Sequence, residues 1–411
     1  MDAFVCINIK INCYMRKLLF AALLLLSSFT FHLSPLSAQT YVWKNGHPLV
    51  TDPDSITFVK PETGAQVFGM RYAMMHQEIK FLYQTTDYQG KPIWLSAVML
   101  IPNDQIESKH IPKMAMYNHY TISRSDECPT SSLRGDELPE ILIPLHFTVV
   151  ASDYEGFGET GDRVQAYCFG EANARASIDA LLAAREWLVK EGYTLSDTII
   201  NYGYSQGGET TVAAVKLAQS EYKGKVHFMK SYAGAGPYDL RLTYRKFLEW
   251  EKIGQPAVLP LTIITVNELM HMGLNYASVF KAPLDLNVKS WIISKKFNTD
   301  ELTELFGSDS IKYFMQPAYM DSTTAEIGAV LQEVDKHRLT TGWVPDADTD
   351  IKIFHSMDDD IVAPENSIEL YNFFINNGAT KAVLDTTTLT GPHTSCGETF
   401  AMTMLMDLIA W

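Results

Sequence analysis

Ser205 stands in the run Gly203-Tyr204-Ser205-Gln206-Gly207. This G-x-S-x-G spacing holds a serine at a sharp strand-to-helix turn with its hydroxyl exposed. Gly203 and Gly207 let the backbone approach closely where side chains would clash. The flanks fit that reading: Thr198 to Tyr202 is strand-like and Glu209 to Leu217 is helix-like. A serine hydroxyl is a weak nucleophile unless a base takes its proton, and the base needs a third group to orient it. Downstream, a strand-like run from Ile351 leads into three acids, Asp358, Asp359 and Asp360. Further on, Thr390-Gly391-Pro392-His393-Thr394 follows another strand candidate. Serine, acid and histidine in that chain order, each after a strand, suit cleavage of an acyl group through a covalent intermediate. Gln206 adds a backbone N–H next to the nucleophile, where an oxyanion would form.

Together these motifs resemble the α/β-hydrolase superfamily, specifically its secretory lipase-like branch of serine esterases. In that family the segment after the seventh strand reads His-Gly-x-x-Asp-x-x-Val-Pro. Here it is His355-Ser356-Met357-Asp358-Asp359-Asp360-Ile361-Val362-Ala363, with Pro364 next, so Ser replaces Gly and Ala replaces Pro. The resemblance places the acid at Asp359, with Asp358 as the fallback and Asp360 behind it, and the base at His393. VVASDYEGFG at 149–158, Gln165-Ala166-Tyr167 and SYAGAGPYDL at 231–240 extend the match. Relatives commonly carry a His-Gly pair where this chain has His119-Tyr120, which makes the Tyr120 main chain the second oxyanion donor. His119 is then expected to hold its loop, His355 to support the acid, and Asp153 and Tyr154 to brace the floor of the site. The correspondence covers roughly residues 78–240 and 351–411. It implies hydrolysis of a carboxylic ester through an acyl-enzyme.

Such a site must be carried by alternating strands and helices. Glu78 to Thr86 and Pro92 to Ile101 read as a hairpin around Asp87-Tyr88-Gln89-Gly90. Lys113 to Tyr117, Phe147 to Ala151, Val226 to Ala233, Ile351 to Phe354 and Ala382 to Asp385 are further strand candidates. Leu138 to Leu145, Asn173 to Leu188, Glu365 to Asn376 and Thr399 to Leu408 are helical by spacing. The alternation predicts an α/β fold, a mostly parallel central sheet flanked by helices. From about Leu240 to Asp350 it gives way to helical patterns, including Leu242 to Lys252 and Ala325 to Lys336. So long a connection predicts an inserted helical cap at 240–350, with the core in two pieces, 65–239 and 351–411. Trp250, Tyr276, Phe280, Trp291, Phe314 and Tyr319 either cover an apolar substrate there or form the cap's own core.

Of 411 residues, 46% are hydrophobic and 20% charged, which excludes a disordered or disulfide-dense chain. The 48 acids against 33 bases, a net of −15, lack the cations needed to hold polyphosphates without specificity, so no nucleic-acid partner is expected. Arg16 and Lys17, the apolar run Leu18 to Leu26 and Ser37-Ala38 have the order of a signal peptide, with Gln39 as the expected mature start. Met15 is a second candidate initiator. The apolar run is about half the ~20 residues that span a bilayer, so no stable membrane span is expected. The lead segment at 39–64, of the form YVWKNG followed by DSITF, resembles the N-terminal tag of many exported proteins of Bacteroidetes-type bacteria. Periplasm, outer surface and medium all fit.

Beyond the leader, Cys128, Cys168 and Cys396 allow one disulfide or three buried thiols. Asp346, Asp348 and Asp350, like Asp358 to Asp360, read as solvated turns, and His76, His271 and His337 show no ligand spacing. No metal and no organic cofactor is called for. The expected partner is a small-molecule ester, a lipid or an acylated saccharide. A carbohydrate esterase, a serine peptidase or amidase, and a noncatalytic binding protein on a hydrolase scaffold are the alternatives.

Overall fold

The computed structural model describes residues 56–58, 76–131 and 138–411. The expected leader at 1–38, nearly all of the lead segment, and residues 65–75 lie outside them. Strands β1 (Ile56–Phe58), β2 (His76–Thr86), β3 (Pro92–Pro102), β4 (His110–Ile111), β5 (Lys113–Asn118), β6 (Phe147–Ser152), β7 (Thr194–Leu195), β8 (Ile199–Tyr204), β9 (Lys230–Gly234), β10 (Ile351–Phe354) and β11 (Ala382–Asp385) follow in chain order. Nine form one sheet in the order β1-β2-β3-β6-β5-β8-β9-β10-β11, while β4 pairs with β7 apart from it. From β6 to β11 the pairing is parallel; β1, β2 and β3 are antiparallel. The mostly parallel sheet expected of an α/β-hydrolase is therefore present. Its inner strands are buried along their whole length, which is why they read as continuous apolar runs.

Two helical layers cover the faces. Helix α1 (Gly170–Lys190), α2 (Gln206–Ala218) and the later Glu365–Asn376 helix bury their apolar stripes on one face with Phe81, Met99 and Ile353. Repeated alanines in α1 keep that helix close to the strands. On the opposite face the Cys396–Ala410 helix and a 3-10 segment, Glu140–Leu145, pack on Leu100, Val149 and Tyr232. The expected α-helix from Leu138 is this tighter segment, because Pro144 inside it has no N–H to give. The strand expected from Val226 starts only at Lys230: its neighbour β8 begins at Ile199, so earlier residues have no ladder to join.

Between β9 and β10 the chain builds helices α3 (Leu240–Glu249), α4 (Val258–Met270), α5 (Leu284–Ile293), α6 (Thr299–Phe306) and α7 (Ala325–Asp335). Asp239 opens α3 by accepting the Leu242 N–H at 3.0 Å, and Asn298 with Glu301 forms a capping box on α6. These helices share an apolar cluster that also takes in Ala166, Tyr167, Cys168 and Phe169 of the core. Phe280, Phe314 and Tyr319 lie inside it, with Trp250, Tyr276 and Trp291 packed against it, so the aromatics form the cap's core. The cap is tied down at several points. Lys295 Nζ donates to the Gly161 and Arg163 carbonyls, Ser123 Oγ donates to the Phe297 carbonyl, and Tyr88 from the hairpin turn donates to the Leu269 carbonyl. Burial lowers the Lys295 ammonium to about 8. Cys128, Cys168 and Cys396 are buried free thiols, so the second of the two cysteine expectations holds.

Candidate active site

Ser205 follows β8 directly and leads into α2 with φ 59 and ψ −123. A non-glycine residue in that region costs about 1–3 kcal/mol and persists only when its surroundings fix it. Its N–H donates to the Gly234 carbonyl of β9 at 2.8 Å. The flanking glycines are steric necessities. A Cβ on Gly203 would lie 2.5 Å from the Gly207 carbonyl oxygen, and one on Gly207 would lie 2.1 Å from the Asn118 carbonyl oxygen. The bend can form only where both backbones come that close.

His393 lies in a short turn after β11, held at both ends of its own backbone. Asp360 Oδ1 accepts its N–H at 3.1 Å, and Tyr204 Oη donates to its carbonyl at 2.7 Å. Its Nε2 is 2.9 Å from Ser205 Oγ and its Nδ1 is 2.6 Å from Asp359 Oδ2. The network assigns the tautomer: Nδ1–H donates to the carboxylate and Nε2 accepts from the serine. Asp359 Oδ1 accepts the backbone N–H groups of Ile361 (3.0 Å) and Val362 (2.7 Å). Burial alone would raise the Asp359 carboxyl, but the His393 charge and hydrogen bonds from His355 and His393 hold it well below the usual carboxylate range. His355 is fully buried, with Nδ1 2.6 Å from Ser367 Oγ and Nε2 2.9 Å from the Val362 carbonyl. It therefore packs behind the acid.

The fallback acid does not join this chain. Asp358 is exposed, and its N–H donates to Ser356 Oγ. Asp360 serves the His393 backbone instead of its ring. Asp153 is buried and accepts from Ser96 Oγ (2.5 Å), the Thr130 N–H (2.8 Å) and Thr130 Oγ1, tying β3, β6 and the 125–131 loop together. Tyr154 stacks on His119 at 3.9 Å between ring centroids. Burial lowers the His119 imidazole to about 4, so the ring is neutral and carries one proton. The shorter contact of that ring is Nδ1 to the Tyr120 carbonyl, 2.7 Å. Asn118 is the last residue of β5 and pairs with Gly203, one residue before the end of β8, so 119–120 leave the sheet beside the elbow, where the Asn118 and His119 carbonyls crowd Gly207. Gln206 is the first residue of α2, where N–H groups have no acceptor within the helix.

Tyr204, Ser356 (Oγ to the Gly391 carbonyl, 2.7 Å) and the backbone role of Asp360 had no signal in the sequence. Tyr204 occupies a variable position of its motif, and the other two act through main-chain partners that spacing does not reveal. Glu209 was also invisible: it lies in the first turn of α2, fully buried, and burial pushes its carboxyl up to about 8, partly offset by Cys168 and the Gly170 backbone. A carboxyl raised in the folded state keeps a proton that the unfolded chain releases above about 4.5. Stability therefore falls from there up to about 8, by about 1.4 kcal/mol per pH unit at most. Glu209→Gln is expected to flatten that fall; urea midpoints measured at pH 5, 6.5 and 8 test it, and an unchanged slope refutes it.

Ser205 opens onto a mainly apolar cleft between core and cap, with about 640 Å³ of space, part of it open to solvent. Tyr244, Phe247, Leu259, Ile263, Leu331 and Val362 are among its walls. A serine, an imidazole and a buried carboxylate in one hydrogen-bonded chain beside such a cleft can accept an acyl group on the serine.

The profile of the secretory lipase family matches residues 141–407. No curated protein sequence matches the chain. Among solved structures, the rice cell wall degrading esterase LipA from Xanthomonas oryzae is similar at a TM-score of 0.74 and 22% identity, covering 87% of this chain and 95% of that one. A putative hydrolase from Legionella pneumophila gives 0.72 at 16% identity, over 82% and 89% of the two chains. Candida antarctica lipase A in its closed state gives 0.58 at 17%, over 78% and 74%.

Proposed function

The chain belongs to the secretory lipase family, and from that premise we propose that it is an exported serine hydrolase that cleaves carboxylic esters through an acyl-enzyme. The observation that carries this reading is the Ser205–His393–Asp359 hydrogen-bond chain at the mouth of an apolar cleft. In the proposed reaction His393 Nε2 takes the proton from Ser205 as Oγ attacks the ester carbonyl. Asp359 keeps the imidazole oriented and stabilises its charged form. The Gln206 and Tyr120 main-chain N–H groups receive the oxyanion; loss of one such donor costs about 2.7–4 kcal/mol. His393 then protonates the leaving alcohol, and water activated by the same ring releases the acid. The cleft walls suit an apolar acyl group. Export is supported by the order of basic, apolar and small residues at 16–38, and no described helix is long and apolar enough to cross a membrane.

Matched esters with short, long and aromatic acyl groups, acylated sugars and the corresponding amides test the reading. Apolar acyl esters are expected to turn over fastest and amides slowest, with an organophosphonate labelling Ser205. An absence of both ester turnover and Ser205 labelling refutes it. Faster turnover of sugar acetates would move the substrate to saccharides, in keeping with the cell wall degradation for which the Xanthomonas esterase is named.

A further inference from the structure

His76 and Glu78 alternate along β2, so both side chains leave the same face of the sheet. The register identifies that face. Glu78 pairs with Leu100, which packs under the 3-10 segment, whereas Ile79 and Phe81 point to the α1 side. Glu140 opens the same 3-10 segment. One ring nitrogen of His76 and one carboxylate oxygen each from Glu78 and Glu140 consequently lie within 4.8 Å of one another. His76 is only 2% exposed, and its Nε2 is a buried polar atom without a hydrogen-bond partner among the described residues. Polar atoms shut away from water are normally satisfied by some ligand.

The geometry points to a divalent-cation site of zinc type formed by His76, Glu78 and Glu140. Zinc takes imidazole nitrogen and carboxylate oxygen at about 2.0–2.2 Å, in sets of three protein ligands plus water or four protein ligands. Tetrahedral donors at that distance stand about 3.3–3.6 Å apart, so side-chain shifts of up to about 0.8 Å each bring donors within 4.8 Å of one another onto one ion. Calcium and magnesium favour all-oxygen shells, so the imidazole argues against them. The site lies far from the elbow. Leu100 of β3 pairs with Val149, near the start of β6, whereas Ser205 follows the end of β8, two strands further across the sheet. The ion would clamp β2 to the segment that precedes β6 and take no part in acyl transfer. Sequence spacing could not show this, because Glu140 joins the other two only through folding.

Calorimetric titration of the chelator-stripped full protein with zinc chloride at pH 7 tests the assignment. One equivalent is expected to bind, with a rise in the melting midpoint. Glu140→Gln, at a half-exposed position, and His76→Asn are each expected to weaken binding by on the order of 100-fold, since even outer partners of metal ligands are worth about 10–100-fold. Circular dichroism checks that both variants fold; should His76→Asn unfold, Glu140→Gln carries the test. No saturable binding at about 100 micromolar zinc, binding unchanged in Glu140→Gln, or preference for calcium over zinc would overturn the proposal.

Discussion

Ser205→Ala is expected to lower kcat/KM on an apolar acyl ester by on the order of a million-fold, with the melting midpoint nearly unchanged. Removing the serine of such a unit alone costs about as much as removing all three members, because without it the histidine and acid have nothing to activate. A residual rate above that of water should remain from the oxyanion donors and from binding in the cleft. The substitution deletes one oxygen that is bonded to His393 and leaves the strained turn to be held by the Gly234 carbonyl and the close glycine contacts. Steady-state kinetics beside a melting curve therefore separates chemistry from folding. Retained turnover would put the nucleophile elsewhere.

Asp359→Asn is the second large effect, about ten-thousand-fold in kcat, while Asp358→Asn should stay within about twofold. An asparagine oxygen can still accept the Ile361 and Val362 N–H groups, so the loop is retained. Its amide, however, donates toward His393 Nδ1 and forces the wrong tautomer on the ring. Exposed Asp358 has no such bond to lose. Equal kcat for the Asp359 variant and the parent would overturn the choice of acid. The same carboxylate has a thermodynamic signature. Its folded-state value is depressed, so its stabilisation is fully present above the ordinary carboxylate range and is lost as pH falls below it. Asp359→Asn should accordingly lose less stability than the parent on acidification from pH 5 to 3, measured as urea midpoints.

The sequence made the sheet and the elbow readable because both depend on local rules. Buried strands need unbroken apolar runs, and the bend around Ser205 needs glycines where a Cβ would strike Asn118 or Gly207. Three adjacent acids could not be separated by spacing. What distinguishes them is burial: Asp359 faces two imidazoles, Asp358 faces water, and Asp360 turns to a backbone N–H. Tyr204, Glu209 and the meeting of His76 with Glu140 are outcomes of packing between distant segments, for which no pattern in one segment carries a signal. The cap aromatics were open to two readings for the same reason. Their spacing fits both a cleft wall and a core, and contacts between helices decide it.

The pairing of Ser231 with Ile351 joins the two halves of the sheet across the whole helical insertion. It is a contact of very long sequence separation, and its loop-closure entropy is repaid only when β9, β10 and β11 are in register together. Ser205 belongs to the first half, and Asp359 and His393 to the second. The first half carries the proposed nucleophile at its elbow and lacks the proposed acid and base. The proposed triad needs both halves, so recovery of activity on refolding is expected to follow the joining of β9 to β10 rather than the formation of helices.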